Sequence, residues 1–162
     1  MSKFRILITD HIAEEGLAIL NADPNVEVTI KPGIKNVDLK PIIGEYDAVI
    51  TRSGTTVTAD LIENPGRLKI IGRAGVGLDN VDIEAASRKG IIVMNAPTGN
   101  TLAATELTMG MMLAAARKIP LANQSLKSGE WDRKRFMGVQ LYNKVLGIVG
   151  LGRIGSNVAI RA

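Results

Sequence analysis

Short apolar runs return at regular intervals along the first hundred residues, and helical patterns separate them. Phe4–Thr9, Val26–Ile30, Ala48–Thr51, Leu68–Gly72 and Ile91–Met94 read as buried strands, and Val145–Val149 reads as a sixth. Ala13–Ala22, Leu39–Gly44, Ala59–Glu63 and Ile83–Lys89 read as the helices between them. Thr58 and Asp82 stand where helix caps belong, and Gly90 closes the helix that Asp82 opens. Apolar strands joined through helices require a parallel sheet with both faces covered, which places the chain in the α/β class.

Beyond the fifth run the pattern changes. Pro97-Thr98-Gly99 marks a turn, and the domain boundary is placed there, with one domain over 1–97 and a second from 98 to 162. A long helix is expected from Thr101 to Lys118, followed by Pro120, and a shorter one over Leu121–Ser128, ended by Gly129. The long helix is rich in Ala, Leu and Met, so it should be buried against a second domain or another subunit. Met109, Met111 and Met112 read as core filling.

Composition excludes several classes. The chain has no cysteine, which rules out disulfides, a thiolate metal site and a Cys nucleophile, and no metal site is expected. The start lacks the pattern of a secretory signal, and the longest mostly apolar run, Leu107–Ala116, is too short to span a bilayer. A cytoplasmic protein is the expectation. Net charge is +4, but the five aromatic residues do not alternate with bases, so nucleic acid is not an expected partner. Arg133-Lys134-Arg135, beside Trp131 and Phe136, reads either as a solvated turn or as an anion site.

The sharpest chemical pattern is Gly150-Leu-Gly152-Arg-Ile-Gly155, a G-x-G-x-x-G directly after the run Val145–Val149. In a dinucleotide site Gly150 makes the tight turn, Gly152 lets the backbone approach a pyrophosphate, and Gly155 lets helix and strand lie close. The helix N-terminus then directs amides at the phosphates. An acidic residue that reads the ribose is due about 20 residues further on, past Ala162, so the choice between NAD and NADP is not legible here.

Three more features follow strands. Gly75-Val76-Gly77 can turn successive amides inward to hold a carboxylate or phosphate, or can serve only as a turn. Arg52 offers a planar fork for the same anions and Ser53 a hydroxyl. Asn100, in Asn95-Ala-Pro-Thr-Gly-Asn100, either caps the long helix or faces a ligand. In open parallel sheets ligands bind beyond the carboxyl ends of the strands, so an anionic substrate beside a dinucleotide fits all of these positions. His11 also follows a strand and is the only histidine, but reads as a loop residue at a helix entry.

The run Gly72-Arg-Ala-Gly-Val-Gly-Leu-Asp-Asn-Val-Asp82 resembles the D-isomer-specific 2-hydroxyacid dehydrogenases. Thr51-Arg-Ser53, Asn95 to Thr101, Glu106 to Gly110, Gly129 to Arg133 and Gly147 to Gly155 extend the resemblance over essentially the whole chain, in the family's order. It implies a flavodoxin-like, parallel-sheet substrate domain followed by the start of a Rossmann NAD-binding domain, in a chain truncated relative to the family. It further implies NAD-dependent oxidation of 3-phosphoglycerate, with Arg52, Ser53, Gly75, Val76, Gly77 and Asn100 at the substrate. Val76, Thr108, Gly150, Gly152, Arg153, Ile154 and Gly155 would serve the cofactor. The resemblance also implies a homo-oligomer through the helix Thr101–Lys118 and the Trp131 region, with Arg133 reaching toward a neighbouring site. The family's catalytic Arg, Glu and His belong to later segments, so none is expected among these residues. A relative acting on glycerate, glyoxylate or lactate, and a non-catalytic dinucleotide-regulated binding protein, are the alternatives.

Overall fold

A computed structural model describes residues 3–162. The chain divides into two compact units, Met1–Gly99 and Asn100–Ala162.

The first unit carries five strands: β1 (Phe4–Ile8), β2 (Val26–Ile30), β3 (Ala48–Thr51), β4 (Ile70–Arg73) and β5 (Ile92–Asn95). All neighbours pair in parallel, in the order β2-β1-β3-β4-β5. Register places Leu7, Val49, Ile71 and Val93 side by side across four strands. Because side chains alternate between faces, these four share one face. Leu7, Val49 and Ile71 are fully buried there against Leu39, Ile43, Leu61 and Ile62. The opposite face departs from the expected two-sided cover. Ile92 and Met94 on it are 60% and 57% exposed, and helix α1 (Glu14–Asn21), which contacts β2, buries none of its own residues.

At the amino ends of the strands a single carboxylate ties the sheet together. Asp47 accepts from the Arg5 amide at 2.9 Å and from Nε and Nη2 of Arg67 at 3.1 and 3.0 Å. The Arg5 amide, aided by Arg67, holds its carboxyl below the ordinary value despite an opposing contribution from burial.

Local differences from the expected elements have identifiable causes. Pro41 lacks an amide hydrogen, so the helix expected over Leu39–Gly44 splits into α2 (Asn36–Leu39) and a 3₁₀ turn (Ile43–Glu45). Ala59–Glu63 forms turns rather than a helix. Thr58 does accept from the Leu61 amide at 3.3 Å, but Pro65 disfavours helical geometry at the residue before it. β4 starts at Ile70 because the Leu68 amide is already bonded to the Pro65 carbonyl at 2.9 Å. Helix α3 (Ile83–Arg88) has the expected cap, with Asp82 accepting from the Ala85 amide at 2.9 Å, and Gly90 follows at φ +69°.

The second unit contains α4 (Thr101–Ala116), α5 (Ile119–Lys127) and α6 (Arg153–Arg161). Lys118 turns left-handed at φ 54°, and Pro120 lies in the first turn of α5, where a missing amide hydrogen costs nothing. Val145–Val149 is not a strand. No strand lies beside it among the described residues to pair its amides and carbonyls, and Val145 and Val149 are fully exposed. The core reading of the Met cluster also fails at Met111, which is 63% exposed, and Thr105 is the only buried residue of α4. No described helix is long and apolar enough to cross a membrane.

Ile71 is the central residue of the buried row. Ile71→Ala is expected to lower unfolding stability by about 2–5 kcal/mol through lost contacts and a residual cavity, measured by urea denaturation.

Candidate functional site

The strand order reverses at β1, since the chain leaves β1 for β2 on one side and returns to β3 on the other. Loops diverging from such a pair leave a crevice at the strands' carboxyl ends. Two segments meet there: Thr9-Asp10-His11 after β1, and Arg52-Ser53-Gly54-Thr55 after β3. Arg52 Nη1 donates to the His11 carbonyl oxygen at 3.2 Å, so the histidine touches this site through its main chain.

Asp10 organises the second segment. Oδ1 accepts from the Gly54 amide at 2.9 Å, and Oδ2 from the Thr51 hydroxyl at 2.8 Å. The Thr55 hydroxyl lies 2.9 Å from both Asp10 Oδ2 and Thr9 Oγ1. Thr9, Thr51 and Thr55 are all buried. Burial opposes the charge on Asp10, but the amides of Arg52 and Gly54 with the hydroxyls of Thr51 and Thr55 outweigh it. The carboxyl is therefore held below its ordinary value of 3.8. A carboxylate that organises the loop of a neighbouring strand carries no pattern in the sequence, and Asp10 is not among the residues expected from it.

β4 leads into the second loop. The Gly75 amide donates to the Arg73 carbonyl at 2.8 Å, and the Gly75 carbonyl accepts from the Ala96 amide at 2.9 Å. Asn95 Nδ2 holds the Val76 carbonyl at 2.6 Å. The amides of Val76 and Gly77 donate no hydrogen bond among the described residues, which leaves two adjacent donors for an anion. A side chain at Gly75 would collide with the Arg73 guanidinium, and one at Gly77 would come within 2.7 Å of Asp79 Oδ1. Asn80 joins the two loops: its Nδ2 donates to the carbonyls of Arg52 and Thr55, each at 2.6 Å. Arg52, Ser53 and Gly75–Gly77 therefore follow adjacent strands and share a buried linker. Asn80 and Arg73, like Asp10, show their part only through space.

In the second unit Thr108 and Met112 of α4 line a cavity of about 360 Å³ together with Gly150, Ile154 and Gly155. The three loop glycines differ in what requires them. Gly150 sits at φ +93°, a conformation that side chains resist. Gly155 packs so closely that a Cβ would overlap the Gly150 carbonyl oxygen. Gly152 precedes α6 in extended geometry, and a Cβ there would meet nothing within 4 Å. That openness is the room a dinucleotide's pyrophosphate needs at a helix N-terminus, so these residues fit the group. Arg153 and Ile154 form the first turn of α6. Asn100 occupies the cap position of α4, but its side chain makes no capping bond, which removes one of its two readings. Arg133 lines a different hollow, beside Trp131, Phe136 and Leu126, and is not brought to the glycine loop.

Comparison with known proteins covers both units. The D-isomer specific 2-hydroxyacid dehydrogenase catalytic domain matches residues 6–158. A D-3-phosphoglycerate dehydrogenase of Methanocaldococcus jannaschii is 54% identical over 158 residues, covering 98% of this chain and 30% of the relative. One from Synechocystis is 50% identical over 155 residues, covering 96% and 28%. A crystal structure of a Thermus thermophilus protein superposes with a TM-score of 0.87 at 30% identity, over 98% of this chain and 52% of the other. The chain spans about 30% of the length of the curated relatives it matches.

The hydrogen bonds at Asp10 set a pH dependence. Because its folded pKa is depressed, it contributes stability above pH 3.8, and that contribution is lost as pH falls through the lower folded value. Asp10→Asn should therefore be less stable than wild type at neutral pH, and the gap should narrow on acidification below about pH 4. Denaturant unfolding at a series of pH values measures it; a gap that widens in acid contradicts the assignment.

Proposed function

The chain belongs to the D-isomer specific 2-hydroxyacid dehydrogenase family, and we propose that it supplies the anion-binding and dinucleotide-binding loops of a D-3-phosphoglycerate dehydrogenase. Such an enzyme oxidises 3-phosphoglycerate to 3-phosphohydroxypyruvate in serine biosynthesis. The observation that carries the reading is the pair of unbonded amides at Val76 and Gly77, held beside Arg52 by Asn80. The substrate bears a carboxylate and a phosphate, and this loop pair presents donors and a fixed positive charge, while the neighbouring Asp10 carboxylate is engaged by four groups.

The residues divide the work by chemistry. Val76 and Gly77, turned by Gly75, hold the substrate carboxylate through main-chain donors, which cannot titrate. Arg52 pairs with an anionic oxygen and fixes orientation, with Ser53 adding a hydroxyl. Asn100 adds a polar group near the substrate. Gly150, Gly152, Arg153, Ile154 and Gly155 take the pyrophosphate, and Thr108 and Val76 border the nicotinamide. NAD, when bound, supplies the acceptor for the hydride that leaves the hydroxyl-bearing carbon. The hydroxyl proton needs a base, and no residue of this chain is assigned that role; His11 is engaged with Arg52 through its carbonyl rather than its ring.

Assembly and location belong to the same reading. Leu107 and Met111 of α4 and Trp131 are 64%, 63% and 76% exposed, an apolar surface suited to a second copy of the chain. Arg133 beside Trp131 would then reach toward a neighbouring site. A metabolic enzyme of this kind works in the cytoplasm.

Two substitutions test the reading in the enzyme at its full family length. Arg52→Ala removes a charge-assisted contact worth about 1.5–3 kcal/mol, so kcat/KM for 3-phosphoglycerate should fall roughly ten- to a hundredfold with NAD affinity unchanged. Unaltered kinetics would take Arg52 out of the site. Gly152→Val should abolish NAD binding in calorimetry while thermal unfolding stays near wild type, because the open space at Gly152 accepts a side chain only when no pyrophosphate is there. A folded variant with undiminished NAD affinity rules out a cofactor role for the loop.

A further inference from the structure

The loop that carries Arg52 and Ser53 has no regular secondary structure, yet two side chains from outside it grip it along its length. Asp10 takes the Gly54 amide and the hydroxyls of Thr51 and Thr55; Asn80 takes the carbonyls of Arg52 and Thr55. Every main-chain group gripped is one or two residues from the Arg52 guanidinium or the Ser53 hydroxyl. The main chain at Gly54 passes so near Asp10 that a Cβ would overlap Oδ1, so the loop's path is built around the carboxylate. Asp10 itself lies 41 to 45 residues away in sequence from the groups it binds on this loop.

We propose that Asp10 is a positioning residue for substrate binding: through Gly54, Thr51 and Thr55 it fixes the loop that aims Arg52 and Ser53, without touching substrate. The inference rests on the reading of Arg52 as a substrate contact. It has a physical ground. An irregular loop spends binding free energy on becoming ordered each time an anion arrives, and a loop already held in place does not. A negative carboxylate in an anion site would repel the ligand, but the donors that surround this one consume its acceptor capacity and turn it toward the protein. Asn80 holds the loop's carbonyls with uncharged donors, so the grip adds no positive charge that competes with Arg52.

The test uses the enzyme at full family length, with 3-phosphoglycerate and NAD as probes. Asp10→Asn is expected to raise KM for 3-phosphoglycerate roughly tenfold, to lower kcat less, and to leave NAD affinity within about twofold of wild type. Hydrogen exchange at the Gly54 amide should accelerate in the same variant, a readout independent of turnover. Thr55→Val, which keeps the shape and loses the hydroxyl, should shift KM in the same direction, and Thr55→Ser should restore it. If Asp10→Asn does not fold, the Thr55 pair decides. A folded Asp10→Asn with unchanged KM and unchanged Gly54 exchange overturns the proposal, as does Thr55→Ser impaired as much as Thr55→Val. Arg52→Ala, measured alongside, separates the two levels. If it raises KM and Asp10→Asn does not, positioning alone is wrong; if neither moves KM, the assignment of Arg52 falls with it.

Discussion

Everything at the candidate site depends on the parallel pairing of β1 with β3 at the point where the strand order reverses. Two neighbouring strands in register deliver their carboxyl ends to the same level, and connections leaving in opposite directions cannot fill the space between them. The Thr9 amide extends that pairing by bonding to the Ile50 carbonyl at 3.0 Å, which brings Asp10 directly beside the start of the Arg52 loop. The buried row Leu7, Val49 and Ile71 holds the register from below, since slipping by one residue would turn all three out of the core. Packing and site geometry are therefore one arrangement seen from two ends of the strands.

In the proposed reading, main-chain donors matter to anion binding as much as side-chain charge does. The amides of Val76 and Gly77 are left unbonded among the described residues, while the carbonyls of Val76 and Gly75 are held by Asn95 and Ala96. The second unit repeats the idea with different parts: a left-handed Gly150, an open Gly152, and a Gly155 that lets α6 close on the loop. Gly150 is required by its positive φ and Gly155 by its close packing, whereas at Gly152 the protein's own atoms impose neither demand. That difference is why a substitution at Gly152 is predicted to act on a ligand rather than on the fold.

The fold of the first unit was legible because its signals are local. Four-to-six-residue apolar runs and an Asp cap at Asp82 need no knowledge of what lies across the sheet. The errors fell where local pattern competes with backbone chemistry. Pro41 and Pro65 withdrew helix from segments whose apolar spacing suggested it. The glycine loops and Arg52 could be picked out because their chemistry is carried by neighbours in sequence. Asp10 and Asn80 could not be, because an acidic residue after a strand and an amide in a turn are ordinary until their partners are known.

By itself, then, the sequence determined the strands of the first unit, the class of the sheet they build, and the two glycine-containing loops suited to anions, since each follows from the steric and hydrophobic properties of adjacent residues. Tertiary structure alone decided which strand ends meet, and hence that Asp10, some forty residues away in sequence, shapes the loop of Arg52. It also decided that Val145–Val149 is no strand, because a strand exists only through the hydrogen bonds of a neighbour, and none stands beside that run among the described residues.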